Sequence, residues 1–568
     1  MSTDLIFEYF ATLATAPDGI PRLRELILQL AVQGKLGTQD ERDEPASVLL
    51  EKIRKEKERL VKEGQIKKEK TLDVLNESEI SKKIPSSWVF AYLNDLCELV
   101  ADPDHNMPKA VDDGVKFISA KDLRDDGSIN FETNVKCISE EDYQRLARKI
   151  QPKKGDIIFS RIGSIGKSSI VKTDEKFMIS YSCCVIRPLF VDVNYLNYFL
   201  REASSLIVAL QKTQGIGVPD LGMKMIKQFI VPLPPLAEQA RIVSKVDRLM
   251  ALCDELDARQ QQERAGCLRL GTASLAGLQN AESPEEFGRQ WEQVCDAFDL
   301  ILDCPENVVV LRQTILQLAV QGRLVRQEPG DEPAGKLVER IKAKKKQLAN
   351  ERESKAEKVL EPIRDDEIPF TISKQWLWDR LGSVLIKLQD GVHNSPVNIS
   401  NGDFMYVTAK NIKPEGIQLS NITYISAKDH EDSYKRCDPK FGDVLLIKDG
   451  ATTGIATINN LHQPFSMLSS VALLRTPQEI LNKYLLYVLR SPFFYTFLRE
   501  DMSGCAITRV TLTKLNRFII PLPPLAEQHR IVAKVDALMA LCDALEARLK
   551  ERAGVQGLYA VAVVKGIA

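Results

Sequence analysis

The chain has 568 residues, 44% hydrophobic and 27% charged, and a formal net charge of −1. That length suggests three to five domains with room for sizeable cores, and the composition argues against wholesale disorder or a membrane-spanning stretch. Near-neutral charge argues against nucleic-acid binding driven by bulk charge, so any such binding must use local patches or share phosphate contacts with a basic partner.

The first residues, MSTDLIFEYFATLATAPDG, lack a basic start followed by an apolar run, so no secretion signal is expected and the location is expected to be cytoplasmic. A helical region of residues 1–84 follows, containing LRELILQLAVQGKL at 23–36. Segment 45–70 is rich in Lys and Glu, with high helical propensity. Acids alternate with bases throughout it, which favours a solvated helix face over a DNA-binding run.

The next region, 85–235, changes character. Val115–Ser119, Asp156–Ser160 and Tyr181–Ile186 have strand composition, and Asp125-Asp126-Gly127-Ser128 reads as a turn. Asn194–Leu210 reads as an amphipathic helix. These elements predict a compact mixed α/β domain of about 150 residues. After Pro232-Leu233-Pro234-Pro235 a long helix is expected, since proline suits the first helical position and Glu238 falls in the first turn. Ile242, Val246, Leu249, Cys253 and Leu256 alternate spacings of four and three, the 3.5-residue period of a coiled-coil seam. The seam lasts only two to three heptads, so a helical hairpin suits it as well as a free coiled coil.

The second half repeats the first. FIVPLPPLAEQARIVSKVDRLMALCDELDAR at 229–259 and FIIPLPPLAEQHRIVAKVDALMALCDALEAR at 518–548 share 25 of 31 positions. LRQTILQLAVQGRL at 311–324 answers 23–36 at nearly the same offset. The seam recurs as Ile531, Val535, Leu538, Cys542 and Leu545, and the charged helix as 333–358. Strands are expected at Phe404–Thr408, Asp443–Lys448 and Ser469–Arg475, then a helix over Lys483–Arg499. Segments 100–220 and 389–510 share only a skeleton of glycines and apolar positions. A kept frame with diverged inserts suggests one scaffold holding two readers of different specificity. The expected fold is α+β: two mixed α/β domains in tandem, separated and flanked by long helices forming an antiparallel coiled-coil spacer, with a pseudo-two-fold internal repeat. Its expected divisions are 1–84, 85–235, 236–375, 376–524 and 525–568.

Catalytic signals are missing. Gly163-Ser164-Ile165-Gly166-Lys167-Ser168 suggests a phosphate loop, but Arg161 stands where the motif needs glycine, and Gly450-Ala451-Thr452-Thr453-Gly454 lacks the lysine. A glycine turn between strands is the better reading. Neither Pro-Pro pair lies in an Asp/Asn-Pro-Pro-aromatic motif for holding a target base. The 11 cysteines form no CxxC pair and the five histidines are scattered, so no metal site or Ser/His/Asp or Cys/His constellation is expected.

Two diverged mixed domains, each ending in Pro-Leu-Pro-Pro-Leu-Ala-Glu-Gln-x-Arg-Ile-Val with a Gly-Asp-apolar-apolar strand upstream, resemble the specificity subunits of Type I restriction–modification enzymes. The resemblance covers essentially the whole chain. It implies two target-recognition domains, each reading half of a split double-stranded DNA site, and helices that set their separation and bind two methyltransferase subunits. Two restriction/translocase subunits would complete the complex. No catalytic role or cofactor is implied for this chain; S-adenosylmethionine, ATP and Mg are expected on the partners. About 80 helical residues precede the first domain here, whereas many relatives begin almost directly with it. How these pack against the C-terminal helix, a circular arrangement in relatives, stays open. A helix from Leu236 to about Gln262 would span roughly 40 Å, placing the readers about one DNA turn apart.

Residues 145–167 carry Arg145, Arg148, Lys149, Lys153, Lys154, Arg161 and Lys167 against one acid, Asp156, a candidate DNA-facing strip. Lys121 and Lys410 occupy matched positions after a strand, as do Arg161 and Lys448. Thr213, Gln214, Thr508 and Arg509 are candidates for base-edge contact. Two other functions are compatible with the residues: a self-sufficient DNA-modifying enzyme with cryptic catalytic residues, and an adaptor binding proteins through two α/β modules.

Overall fold

A computed structural model describes residues 13–14, 16–36, 38–68, 75, 83–105, 107–202, 220–351, 360–500 and 509–567. The chain divides into two compact units, Met1–Gln262 with Glu551–Ala568, and Glu263–Lys550. Each holds one copy of the repeat.

In the first unit, helix Gly19–Val32 buries Leu23, Leu26, Ile27 and Leu30. It stops at Gly34, whose φ of +68° is the left-handed conformation that closes a helix. Lys35 N donates to Leu30 O at 3.0 Å across that turn. A Cβ on Gly34 would lie 2.6 Å from Pro85, with the Trp88 ring just beyond, so glycine also makes room for the next element. Gly322 repeats this against Trp376, with φ +71°. These two demands explain why Gln-Gly-Lys-Leu and Gln-Gly-Arg-Leu recur. The Lys/Glu-rich segments form helices Ala46–Lys62 and Ala334–Glu351.

The first reader runs through β1 (Val89–Tyr92), β2 (Cys97–Ala101), β3 (Val115–Ile118), β4 (Lys136–Ile138), β5 (Ile157–Ser160), β6 (Ser168–Ile170), β7 (Phe177–Ile179), β8 (Cys183–Pro188) and β9 (Ile230–Leu233). Strands β2-β8-β5-β6 form an antiparallel sheet, β4-β3-β7 a mixed one, and β1-β9 a ribbon that brings entry and exit together. Ile157, Phe159, Cys184 and Ile186 enter the core shared with the helices, whereas Ile158, Cys183 and Val185 enter the core of the second sheet. The four-stranded sheet is thus covered on both faces, so its central strands β5 and β8 carry continuous apolar runs rather than alternating.

The second reader repeats the plan with β10 (Leu377–Arg380), β11 (Lys387–Asp390), β12 (Phe404–Val407), β13 (Ile412–Lys413), β14 (Gly416–Ile417), β15 (Thr423–Ile425), β16 (Val444–Ile447), β17 (Ala456–Ile458), β18 (Phe465–Met467), β19 (Val471–Arg475) and β20 (Ile519–Leu522). Its sheets are β11-β19-β16-β17 and β15-β12-β18, with ribbon β10-β20 and a hairpin β13-β14 whose counterpart in the first reader is the single antiparallel bridge between Leu123 and Ile129. The expected helix over Lys483–Arg499 is two helices, Asn482–Arg490 and Pro492–Glu500. Pro492 cannot donate inside a helix but suits the start of one, so the chain breaks there.

The helices after each reader outrun the expectation of an end near Gln262: they span Leu236–Asn280, 45 residues, and Leu525–Ile567, 43 residues. No proline interrupts either run. In the first unit Ile242, Val246, Leu249 and Cys253 are buried and Leu256 partly so, in one core with Leu23, Leu26 and Ile27 of the helix that precedes the reader. Arg24 of that helix meets Asp254 at 2.6 Å. In the second unit Ile531, Val535 and Cys542 are buried and Leu538 and Leu545 partly so, in one core with Ile315 and Leu316. Arg312 there meets Asp543 at 2.7 Å. Within each unit the seam therefore faces its own preceding helix, as a helical hairpin would. Ala560 and Val563, near the end of the last helix, lie in the first unit's core.

The recurrent Pro-Leu-Pro-Pro-Leu-Ala-Glu-Gln-x-Arg phrase is a junction in which each polar side chain is used. Glu238 accepts from Trp88 Nε1 at 2.9 Å, from Thr38 at 3.0 Å and from Gln39 at 2.9 Å. Gln239 accepts from Asp192 N at 2.8 Å, and Arg241 pairs with Asp43. In the second unit Trp376 donates to Glu527 at 2.9 Å, Leu481 N to Gln528 at 2.9 Å, and Arg530 meets Asp331 at 2.6 Å. The phrase thus fastens reader, long helix and N-terminal segment together.

Candidate nucleic-acid interface

Each four-stranded sheet carries a hairpin whose turn is the glycine-rich segment noted in the sequence. Between β5 and β6, Gly163 and Gly166 adopt φ of +79° and +92°; between β16 and β17, Gly450 and Gly454 adopt +100° and +98°. A strand follows each turn, not the helix that a phosphate loop requires. Upstream, the aspartate of each Gly-Asp pair is structural. Asp156 receives Arg187 Nε at 2.7 Å, and Asp443 receives Arg475 Nε at 2.9 Å. The bonds to Asp156 hold the Arg187 guanidinium above its ordinary value.

Arg161 and Lys448, expected on the DNA-facing surface, are instead buried, 4% and 2% exposed. Arg161 donates to Leu221 O at 3.0 Å, to Tyr181 O at 2.9 Å and to Asp220 at 2.9 Å. Lys448 donates to Asp449 at 2.8 Å. A cation with its donors committed this way holds the turn closed. The segments that open at Asp220 and Arg509 join here too: Leu221 N donates to Arg161 O and Val510 N to Lys448 O, both at 2.8 Å.

Both cations also face an aspartate at the end of the strand two places along the sheet. Asp102, just beyond β2, lies 3.7 Å from Arg161, 3.9 Å from Lys149 and 3.3 Å from His105. Asp390, the last residue of β11, lies 3.6 Å from Lys448, 3.0 Å from Arg436 and 3.7 Å from His393. One carboxylate, buried at Asp390 and partly buried at Asp102, is thus ringed by a buried cation, a half-exposed cation and an exposed imidazole in both readers. Asp102, Asp390, His105, His393 and Arg436 were not singled out by sequence reasoning. The signal was present: His105 and His393 are 288 positions apart, one of the two offsets that relate the repeats.

The remaining candidates do not form one strip. Arg145 pairs with Asp142 at 2.7 Å, Lys154 with Asp174 at 3.0 Å, and Lys167 with Asp125 at 2.7 Å. Lys149 also meets Asp104 at 3.4 Å. The single acid counted along 145–167 is therefore joined by acids from elsewhere in the fold, which neutralise much of the strip. Arg148 and Lys153 are exposed, as are Lys121 and Lys410, which sit in matched short 3-10 turns after β3 and β12. Arg509 is 62% exposed and lies 3.5 Å from Asp449 at the second glycine turn. Thr213, Gln214 and Thr508 lie outside the described residues. No helix among the described residues is long and apolar enough to cross a membrane.

The Type I restriction modification DNA specificity domain matches this chain twice, at residues 85–264 and 380–553. The chain belongs to that family. It is a specificity subunit, whose work is recognition of DNA sequence. The EcoAI specificity subunit of Escherichia coli is 32% identical over 552 residues, covering 94% of this chain and 91% of that protein. The EcoEI specificity subunit, also from Escherichia coli, is 30% identical over 555 residues, covering 94% and 91%. The crystal structure of the HsdS subunit from Thermoanaerobacter tengcongensis is similar over 86% of this chain and 98% of that one, at 19% identity and a TM-score of 0.39.

Proposed function

We propose that each reader takes one half of a split, asymmetric DNA site, and that it meets the duplex with the end of the domain that carries the glycine turn. The observation that supports this most is the Asp-centred ring of cations and histidine, kept at matched positions in two readers whose sequences have otherwise diverged. In the second reader half-exposed Arg436 and exposed Arg509 supply positive charge there for phosphate oxygens, and in the first half-exposed Lys149, shared between Asp102 and Asp104, lies at the same place. Unlike side chains around the same frame give unlike half-sites.

The chain itself does no chemistry on DNA in this reading. Two adenine methyltransferase subunits dock on the recurrent helices, and two restriction/translocase subunits complete the assembly in the cytoplasm. S-adenosylmethionine, ATP and Mg belong to those partners. The near-neutral charge of the chain fits a subunit that grips DNA well only when its partners share the phosphate contacts.

Methylation-sensitive sequencing of DNA from cells expressing this chain with its methyltransferase partner tests the proposal. The expected product is adenine methylation in a two-part motif separated by unspecified bases, with neither methylation nor cleavage by the purified chain alone. A continuous motif, or activity from the chain alone, would contradict it.

A further inference from the structure

In each reader the ring around the aspartate contains one member that folding does not explain. Arg161 and Lys448 are buried and must be paired; Asp220 and Asp449 take their short contacts at 2.9 and 2.8 Å, and Asp102 and Asp390 add a second carboxylate at 3.7 and 3.6 Å. Lys149 and Arg436 add a second cation to each carboxylate. The histidines are different. Their side chains are 67% and 51% exposed, and an exposed pair of this kind adds little to stability. Yet both diverged readers place an imidazole three residues after the aspartate, beside the glycine turn.

We infer that His105 and His393 are specificity-determining residues, each presenting its imidazole to a base edge in its own half-site. This rests on the proposed meeting of DNA with the glycine-turn end of each reader. The geometry suits the task. An imidazole offers one donor and one acceptor, or two donors when protonated, which is the vocabulary of a base edge in the major groove. It projects from the loop that follows a sheet strand, β2 ending at Ala101 and β11 at Asp390. His105 is hydrogen-bonded to Asp102 at 3.3 Å, whereas His393 lies 3.7 Å from Asp390, a carboxylate that Arg436 holds at 3.0 Å. The half-exposed cation alongside each can take phosphate without reading sequence.

The two sites also differ in a way that separates their targets. His105 stacks on Tyr181, with ring centroids 5.2 Å apart and planes 15° from parallel. Matched turn residues show the equivalence: Arg161 N donates to Ser182 O at 2.8 Å, and Lys448 N to Ser470 O at 2.9 Å. The counterpart of Tyr181 is therefore Ser469, which has no ring to stack. The first imidazole is held flat against an aromatic neighbour and the second is not, so the two present their ring nitrogens differently.

The test expresses full-length variants with the methyltransferase partner and measures the methylated motif together with binding of the complex to duplexes altered one base pair at a time. H105A is expected to lose about tenfold or more of the discrimination at one position of one half-site, leaving the other half unchanged. H393A is expected to do the same in the opposite half, and Y181S to alter the half affected by H105A. Where an alanine variant fails to assemble, H105Q and H393Q take its place. Retention of the wild-type base preference by both histidine variants overturns the inference. K149Q and R436Q distinguish its failure from that of the DNA-face proposal. Binding weakened evenly across sequences leaves that face standing, whereas unchanged binding in these variants and the histidine variants removes both.

Discussion

Trp88 donates its indole hydrogen to Glu238 at 2.9 Å, across the neck where the first reader begins and ends. The same bond joins Trp376 to Glu527 at 2.9 Å in the second unit. The two necks are nevertheless unequally supported. Glu238 also accepts from Thr38 and Gln39, whereas one carboxylate oxygen of Glu527 is buried without a hydrogen-bond partner.

W376F should therefore cost more than W88F. Loss of a donor to a buried carboxylate is worth about 1–3 kcal/mol, and W376F should lie at the upper end. Burial already pushes the Glu527 carboxyl above its ordinary value, and the Trp376 bond opposes that shift. A carboxyl raised on folding contributes stability while protonated and loses that contribution as pH rises through its folded value. Removing the indole donor raises it further. The W376F deficit should thus be greatest at neutral pH and shrink on mild acidification, as read by denaturant titration; a deficit independent of pH would count against the assignment.

Cations from one sequence strip should separate into two behaviours. R161A removes a buried guanidinium and leaves Asp220 and the Tyr181 and Leu221 carbonyls without their donors, so it should cost about 3–5 kcal/mol of stability. K121Q and K410Q alter exposed side chains and should leave the melting temperature unchanged. If these lysines meet phosphate, each substitution lowers the slope of log binding constant against log salt by about 0.9 for the assembled complex, with no change in the motif.

The last helix should stabilise the first unit. Ending the chain at Lys550 removes Ala560 and Val563 from that core, a loss on the order of 2 kcal/mol or more. Hydrogen exchange should quicken in helix Gly19–Val32 of the truncated chain and stay unchanged in the second reader. Equal exchange in both chains would show that this segment does not hold the first unit.

The fold was legible where physics acts locally or where the repeat exposed it. Strands β3, β5, β12 and β16 follow from short β-branched and apolar runs, and the long helices from the Pro-Pro start and seam spacing. What the seam packs against was not legible, because periodicity states that a face is buried and not by what. The break at Pro492 was masked by the apolar pattern that continues on both sides of it. The site was least legible. Counting charge along 145–167 treated Arg161 and Lys167 as neighbours on one surface, but a hairpin turn buries the first and brings Asp125 to the second. Asp102 and Lys149 lie far apart in sequence and meet only through the sheet.

The central claim is that one frame holds two independent readers. Exchanging residues 93–229, bounded by the β1-β9 ribbon, for the same segment of a relative with a different target tests it most directly, read by methylation-sensitive sequencing in cells that supply the methyltransferase partner. The account predicts a new sequence in one half of the motif, with the other half and the gap between them unchanged. A change in both halves would contradict it.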